Sequence, residues 1–579
     1  MVRNFLKNGP AFLTRRQTTI LSAAAIIMVM IAASRVLGLI RNRVLAHFFA
    51  VETLSLYFAA FRLPEVIFEV LVFGTLSSAF IPTFTAYLSR KEKEQAWYVA
   101  GVSLNLAVLI FIFLAILVFI FARFIYQVIA AGFTPDEVGQ IVSLARILIL
   151  AQGFFVLSYF LTGVLESLQR FLVPAVAPLF YNLGIILGTV FLSSRWGIYA
   201  PAIGATFGAF CHFAIQLPVA IHLGFKPKKT LDISHPGVRK IGRLAAPRMV
   251  ELSFFQLGKS VELFLASLIS TAAYTYFTFA NSLQLLPIGL FGTSIAKASL
   301  PALSYQAAEK DLEQFKKTFL SSFNEILFLV VPCAVFLAVL RIPAVRLVFG
   351  AARFTWASTV ETGYTVSAFC LGVVSQALIY LLARAFYALQ DTVTPVKVSI
   401  SGIFFNIFLS FIFVLGLRLP IWSLALSFSV TAIAQTLILI FLLNKKVGGL
   451  AKERLVLPFL KVAFSSLTAG GMMFFLLKIF DRSVWDKNLS FLGRFGLVLS
   501  TTFDRFVLDT RYTVNLVYLT FLVSLIGGIV YLFLTWILRV EEIAVFTRFL
   551  LKLGKLRLPL PKPKTPKEKE AITVEAKEL

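Results

Sequence analysis

The chain has 579 residues, 59% of them hydrophobic, and its 54 Lys and Arg against 28 Asp and Glu give a formal net charge of +26. A soluble domain averages roughly 45–50% apolar residues, so this composition excludes a soluble globular protein. Apolar runs of about 20 residues recur from end to end, each long enough to cross a bilayer core as a helix.

The runs predict about fourteen spans, centred near residues 30, 70, 108, 150, 183, 210, 256, 286, 328, 370, 406, 432, 467 and 526. The first ends in Ser34-Arg35 and continues helically into charged residues without a small-residue cleavage site, which reads as a retained span. The basic residues sit between spans. They are Arg3, Lys7, Arg15 and Arg16 before the first, Arg90, Lys91 and Lys93 after the second, and Lys226, Lys228, Lys229, Arg239 and Lys240 after the sixth. Lys310, Lys316 and Lys317 follow the eighth, and Lys445, Lys446, Lys452 and Arg454 follow the twelfth. The positive-inside rule puts all of these loops, and both termini, on the cytoplasmic side. It accounts for the charge without nucleic acid as a partner. The stretch 481–513 is long for a loop, and its mix of Phe, Leu, Arg and Asp suggests a helix on the outer surface. The tail rich in Pro, Lys and Glu beyond 555 suggests disorder.

Two parts of the chain repeat. Phe73-Gly74-Thr75 leads to Pro82, and Phe291-Gly292-Thr293 leads to Pro301. Phe133-Thr134 recurs as Phe354-Thr355, Leu168-Gln169 as Leu389-Gln390, and Pro174 as Pro395, all at one offset of 221 residues. A constant offset means a duplicated multi-helix unit. The expected fold is an all-α integral membrane protein with two parallel six-helix lobes, 1–223 and 243–444, joined by the basic linker 224–242. Two extra helices within 445–540 and a cytoplasmic tail, 541–579, follow. Such duplicated bundles suit transport, because two similar halves rock around a site between them.

Enzyme signatures are scarce. His47, His212, His222 and His235 are isolated, and the sequence holds neither a Walker-type phosphate loop nor a nucleophile elbow. Cys211, Cys333 and Cys370 are scattered in apolar surroundings, which argues against a disulfide or metal framework. Neither a cofactor nor a metal is expected.

Charges inside spans are costly, about 2.5–3.5 kcal/mol for each Arg, Lys or Asp at the bilayer centre on insertion scales. The first span carries Ser34, Arg35, Arg41 and Arg43, and the second carries Arg62, Glu65 and Glu69. The seventh carries Arg248, Glu251, Lys259 and Glu262, and the eighth carries Lys297. These side chains either form buried ion pairs, as Lys259 and Glu262 at i,i+3 would, or serve a ligand. Arg35 and Arg41, about 9 Å apart along the axis, lie near one face in this reading. With no acid close in sequence they suggest a docking site for an anion such as a phosphate, in a cavity between the lobes.

Five stretches carry a resemblance. They are SRVLGLIRNRVLAHFF at 34–49, FAAFRLPEVIFEVLVFGTLSSAFIP at 58–82, GVLESLQRFLVPAVAPLFYNLGII at 163–186, LPIGLFGTSIAKASLPALS at 286–304 and LARAFYALQDTVTPVKV at 382–398. Over about residues 20–445 the chain resembles the MurJ (MviN) family of lipid II flippases, within the multidrug, oligosaccharidyl-lipid and polysaccharide exporter superfamily. The resemblance implies fourteen spans, a central cavity, and two final helices shaping a lipid-facing groove. It also implies a substrate: undecaprenyl-pyrophosphate-linked disaccharide-pentapeptide, moved from the inner to the outer leaflet of the bacterial cytoplasmic membrane. Ser34, Arg35 and Arg41 match the first-span motif, whose arginines grip the pyrophosphate. Asn42 stands where an acid usually follows. The family's other acid falls at about Ser55, its second-span arginine at Phe68, and its eighth-span arginine at Ser282, preceded by Asn281. Arg62, Lys259 and Lys297 are candidate substitutes.

The expected substrate-binding set is therefore Ser34, Arg35, Arg41, Asn42, Arg62, Lys259 and Lys297. The expected partners are a lipid-linked glycan, membrane lipids and the cell-wall synthesis machinery. Competing readings are an exporter of another polyprenyl-linked glycan or an amphipathic drug, a transport-inactive cell-wall scaffold, and a membrane glycosyltransferase. The last fares worst, because the loops show no acidic catalytic motif. The topology is directly testable. Reporter fusions in 224–242 and after residue 540 should report cytoplasm, and one in 485–510 the outside; opposite sides for the first two would overturn it.

Overall fold

The computed structural model describes residues 20–74, 79–225, 230–481 and 507–543. The first span is α1 (Ile20–Phe48). The second is broken into α2 (Val51–Ala60), α3 (Arg62–Phe68), a π turn at Glu69–Phe73 and α4 (Ile81–Ser89). Then come α5 (Lys93–Ile129), α6 (Pro135–Ser167), α7 (Leu172–Trp196), α8 (Tyr199–Ala214) and the short α9 (Leu217–His222). The second unit runs through α10 (Pro236–Ile269), α11 (Ala273–Pro287), a π turn at Ile288–Gly292, α12 (Thr293–Ala308) and α13 (Leu312–Val339). It continues with α14 (Arg341–Phe349), α15 (Trp356–Ala388), α16 (Val393–Phe411) and α17 (Trp422–Lys446). The last two are α18 (Lys452–Phe480) and α19 (Thr513–Ile537). Among the described residues, 12 helices are long and apolar enough to cross a membrane. With α1 and the broken stretch 51–89 they fill the fourteen expected positions.

The repeat is visible in the backbone. Helices α6 and α15 are both 33 residues long and both start behind a threonine cap. Thr134 Oγ1 accepts from the Glu137 N–H, while Glu137 Oε2 accepts from the Thr134 N–H at 2.8 Å. Thr355 Oγ1 accepts from the Ser358 N–H at 3.2 Å. Both helices stop at a glutamine in the left-handed region, Gln169 at φ 59° and Gln390 at φ 57°. That reversal lets the next N–H reach back, Arg170 to the Leu165 carbonyl and Asp391 to the Phe386 carbonyl, and closes the helix end. The Asp391 carboxylate then caps α16 through the Thr394 N–H and pairs with Lys446 at 2.5 Å. Against its partial desolvation, these bonds hold the Asp391 carboxyl at about 2.

Helices α7 and α8 meet through glycines. A Cβ on Gly188 would lie 2.6 Å from the Gly204 Cα, and one on Gly184 would lie 2.5 Å from the Gly208 Cα. Small residues let the two backbones approach, which is how helices pack without a hydrophobic driving force in lipid. The final pair, α18 and α19, lies against α13, where the Tyr531 hydroxyl donates to the Phe328 carbonyl at 2.7 Å.

At the end away from the loops bearing Lys91 and Lys310, the lobes are clasped. Ser55 and Thr275 hydroxyls lie 2.9 Å apart, and Thr275 Oγ1 donates to the Val51 carbonyl at 2.7 Å. The Gly132 N–H donates to Ser267 Oγ, and Arg43 Nη1 donates to the Leu347 carbonyl near the end of α14. Phe279 stacks on Phe349 with centroids 4.3 Å apart and meets Phe58 edge-on. Towards the basic end, among the described residues, α10 is the helix that bridges the lobes. Its first half packs on the first lobe, with Met249 against Gly74, and its second half packs Phe254 and Phe264 on Phe404 and Phe411 of α16. Helix α12 packs on α13 and α15 of its own lobe.

Three sequence expectations meet this structure differently. Helix α10 begins at Pro236, capped by His235, so the last part of the stretch 224–242 is helical. Of the long loop 481–513, residues 482–506 lie outside the described residues, as do 544–579 of the tail. The loop's ends do meet, since the Leu508 N–H donates to the Phe480 carbonyl. Gly188→Val should lower the thermal midpoint of the detergent-solubilised protein, at a cost of about 1–3 kcal/mol for overpacking. An unchanged midpoint in a fluorescence unfolding scan would show that the α7–α8 contact can give way.

Candidate functional site between the lobes

Helix α1 supplies Ser34, Arg35, Arg41 and Asn42. Each residue advances about 100° around a helix, so Ser34 and Arg41, seven apart, share a face, whereas Arg35 and Arg41, six apart, do not. The shared face turns towards α7. Arg41 Nη1 donates to Asn182 Oδ1 at 3.1 Å, and Asn182 Nδ2 donates to Ser34 Oγ at 3.5 Å. Arg41 Nε and Nη2 also donate to Asn42 Oδ1 at 3.1 and 2.9 Å, and Asn42 itself is buried. Arg41 is therefore half-buried among neutral amide acceptors. Arg35 is exposed and lines a cavity of about 330 Å³ whose wall includes Ser34, Tyr159, Thr162, Glu166 and His212. The expectation that the two arginines occupy one face is corrected by this geometry. They flank Ser34, one facing a cavity and the other a polar seam.

The second and seventh spans meet in a network across the lobes. Arg62, 3% exposed, reaches Gln256 Oε1 through Nη2 and lies 3.7 Å from Glu65 Oε2. Gln256 in turn donates from Nε2 to Glu69 Oε2. Lys259 Nζ lies 3.3 Å from Glu69 Oε2 and 4.9 Å from the Phe255 ring centroid. Gln256 is thus a neutral relay with both ends occupied, between a cation and an anion of the other lobe. Two expectations change here. The ion pair of Lys259 is with Glu69 across the lobes, not with Glu262 on its own helix. Arg62 is spent on protein groups and is buried rather than facing open space. Charge pairing explains both, because a buried guanidinium out of reach of water needs acceptors and anions close by; Arg62 finds them through Nη2, while its buried Nε has no partner among the described residues.

Lys297, on α12, is exposed, and its charge acts on the Glu166 carboxylate of the first lobe. Behind Glu166, His212 is buried. Its Nδ1 lies 2.5 Å from Ser158 Oγ, and its ring stacks on Tyr159 with centroids 5.4 Å apart. The cleft therefore gathers Arg35, Arg41, Arg62, Lys259 and Lys297 with Glu65, Glu69, Glu166 and Glu262, so the cations are nearly matched by acids. No group of three or more His, Cys, Asp or Glu fit to hold a metal exists among the described residues.

The positions where the resemblance leads one to expect charge hold other interactions. Phe68 is buried against Phe155 and Tyr159 at 5.7 and 5.3 Å. Ser282 donates to the Phe279 carbonyl, Asn281 accepts from Gln284, and Ser55 forms the clasp with Thr275. Sequence reading passed over Gln256, Glu166 and Asn182. The signal for the first was the spacing Gln256, Lys259, Glu262, a polar stripe at i, i+3, i+6 in an apolar span.

With this geometry in hand, the family comparison is decisive. The model of the family described as "Lipid II flippase MurJ" matches residues 12–496. The chain belongs to the MurJ family. A Vibrio cholerae protein named a probable lipid II flippase MurJ is 29% identical over 409 residues, covering 68% of this chain and 77% of that one. A Thermotoga maritima protein of the same name is 27% identical over 471 residues, covering 80% and 93%. Among solved structures, a lipid II flippase MurJ in an inward closed conformation aligns with a TM-score of 0.72 at 24% identity, covering 91% of this chain and all of that one. An inward-facing multidrug resistance MATE transporter of the MOP superfamily aligns at 0.60 with 16% identity, covering 73% and 98%. The fold is thus that of a MurJ-type, multi-pass membrane transporter.

The Glu69–Lys259 pair makes a measurable prediction. Lys259→Gln leaves Glu69 partly buried without its cation, and the double variant with Glu69→Gln removes both charges. The two effects should be non-additive by about 1 kcal/mol in thermal unfolding, the range for residues in contact. Strict additivity would mean the pair contributes nothing across the lobes.

Proposed function

We propose that this chain carries lipid II, an undecaprenyl-pyrophosphate-linked precursor of the cell wall, from the inner to the outer leaflet. The observation that carries the reading is membership of the MurJ family over residues 12–496, joined to a first-lobe cavity lined by Arg35 and Glu166, with the exposed Lys297 of the second lobe acting on that Glu166. The chain moves its substrate without altering it. The basic loops and both termini face the cytoplasm in this reading. The clasp of Ser55, Thr275, Gly132 and Ser267 then closes the outer end, which makes the cytoplasmic end the entrance.

The pyrophosphate docks near Ser34, Arg35 and Arg41, while the polyprenyl tail stays in lipid. A guanidinium offers a fork of N–H donors that matches phosphate oxygens, and Arg35 is the one presented to a cavity. Arg41 is held by uncharged acceptors, so it can exchange Asn182 or Asn42 for a phosphate oxygen without breaking an ion pair. An anion leaving an inside-negative cell gains about 2.3 kcal/mol per charge per 100 mV, which favours export. Separating the Ser55–Thr275 and Gly132–Ser267 contacts is part of the work of opening the outer side. The product side is expected to hand over to the cell-wall synthesis machinery.

A second reading, an exporter of another polyprenyl-linked glycan, is favoured by Phe68 and Ser282, which leave the cleft nearly charge-balanced. Complementation separates the two. In cells depleted of their lipid II flippase, the wild-type chain should restore growth and precursor export. Arg41→Ala and Arg35→Ala should each fail at normal membrane abundance, and collapsing the membrane potential should stop export. Growth restored equally by all three chains would refute the arginine role, and failure of the wild type would favour the second reading.

A further inference from the structure

The outward side of the first lobe carries an arginine pair that neither the cleft nor the clasp uses. Helix α5 exposes Ile112, Phe113, Ile116, Phe119, Ile120 and Phe124, the face of a helix that meets lipid. Between α5, α6 and α8 runs a groove of about 510 Å³, walled by side chains that include Phe111, Ile116, Phe119, Leu150 and Phe154. Its polar lining residue, Thr206, has its hydroxyl on the Ile147 and Ala202 carbonyls, so the wall offers no free donor. Along α5 the lining extends from Val108 to Phe119, about 16 Å of helix.

At the Phe119 end stand two exposed arginines. The Arg146 guanidinium lies 4.5 Å over the Phe119 ring, and its Nη2 donates to the Phe119 carbonyl at 3.3 Å. Arg123 lies one helical turn beyond Phe119 on α5 and is exposed. Neither takes part in an ion pair among the described residues. Their depth follows from helix length. Helices α5 and α6 have 37 and 33 residues, about 55 and 50 Å, which exceeds a bilayer core of about 30 Å by some 20 Å or more. Centred in the membrane, each leaves about 10 Å at either end in the headgroup layer. Arg123, about 9 Å from the end of α5, falls in that layer. Arg146, about 16 Å into α6, falls a few Å beneath it, within snorkelling reach.

We propose that this groove is a binding site for an anionic phospholipid, with its phosphate on Arg123 and Arg146 and one acyl chain in the groove. Two guanidinium groups without an acid, held beside an apolar trough at headgroup depth, call for a ligand that is anionic at one end and apolar at the other. A zwitterionic lipid brings its own cation to the same level and gains less from the pair. Arg146 is pre-positioned by the Phe119 ring and carbonyl, which leaves its remaining N–H groups free to grip phosphate. The lipid belongs to the leaflet on the side of the loop 130–134, and it sits against the helices that carry Glu166 and the Gly132 end of the clasp.

Native mass spectrometry of the purified full chain tests this, with phosphatidylglycerol and phosphatidylcholine of matched acyl chains as probes. The wild type should retain phosphatidylglycerol in preference, and the double variant Arg123→Gln, Arg146→Gln should lose roughly tenfold in that retention. The Arg123→Lys, Arg146→Lys variant should keep most of it, and Arg195→Gln, a change elsewhere on the surface, should keep all of it. Equal retention of the two lipids by the wild type would overturn the proposal, as would undiminished phosphatidylglycerol binding in the double Gln variant. Displacement of phosphatidylglycerol by stoichiometric undecaprenyl phosphate would also overturn it, since the groove would then belong to the transported lipid. If the Gln variant does not fold, loss of the preference in the Lys variant overturns the proposal equally.

Discussion

The structure depends on one constraint: in a hydrocarbon layer, the charge of Arg62 has to be met by protein groups. Its acceptors come from both lobes, Glu65 on its own helix and Gln256 on α10. Gln256 can serve Arg62 only if its amide end is also occupied, and Glu69 does that. Glu69 in turn needs Lys259. Each member of the chain therefore fixes the next, and the relative position of the second and seventh spans follows. Helix α10 accordingly has to straddle the lobes, with Met249 on Gly74 in one direction and Phe254 and Phe264 on α16 in the other. An uncompensated buried charge costs more than a buried pair gains, so the network resists partial disruption more than it adds stability.

The duplication explains why the two ends of the cleft differ. Ser55 and Thr275 are 220 residues apart, close to the repeat offset, so they are near-equivalent positions meeting across the symmetry axis. Short hydroxyl side chains at equivalent sites can approach directly, and the clasp closes there. At the basic end the equivalent elements diverge in character. Span two carries Glu65 and Glu69, whereas span eight carries Lys297 and no acid. The symmetric partner of the acid-bearing wall is thus basic, and charge lines that end of the cleft.

Much of the fold was legible because a bilayer reduces the choices. Apolar runs of about 20 residues have one regular way to satisfy their backbone, and the offset of 221 residues ties Thr134 to Thr355 and Gln169 to Gln390 before any coordinates. The helix-ending glutamines were legible as repeated residues, though not as left-handed ones. The site was less legible, for a geometric reason. Sequence spacing ranks partners along one helix, and so suggested Lys259 with Glu262. The actual partner, Glu69, is 190 residues away and becomes a neighbour only after the lobes pack. Arg35 and Arg41 show the same limit, since six residues along a helix is a small axial distance but a large rotation. Gln256 carried no charge to flag it, although its burial between two charges makes it the most constrained residue of the network.

The two kinds of lobe contact also differ in what their loss would cost. The clasp consists of hydroxyl and backbone hydrogen bonds, each with a net value of about 0.5–1.5 kcal/mol. Water or lipid headgroups at the membrane surface can replace them. Its aromatic core of Phe58, Phe279 and Phe349 loses packing on opening but exposes no unpaired charge. The Arg62–Gln256–Glu69–Lys259 network lies deeper, and separating it strands charges unless water or a charged ligand enters at the same moment. Opening of the clasp is therefore governed by ordinary packing, whereas rearrangement at the network depends on what occupies the cleft. An anionic headgroup that engages Arg41 would also act on Glu65, whose carboxylate feels the charges of both Arg62 and Arg41. Through that shared acid, a ligand on the first span would bear on the contact between the second and seventh spans without touching either.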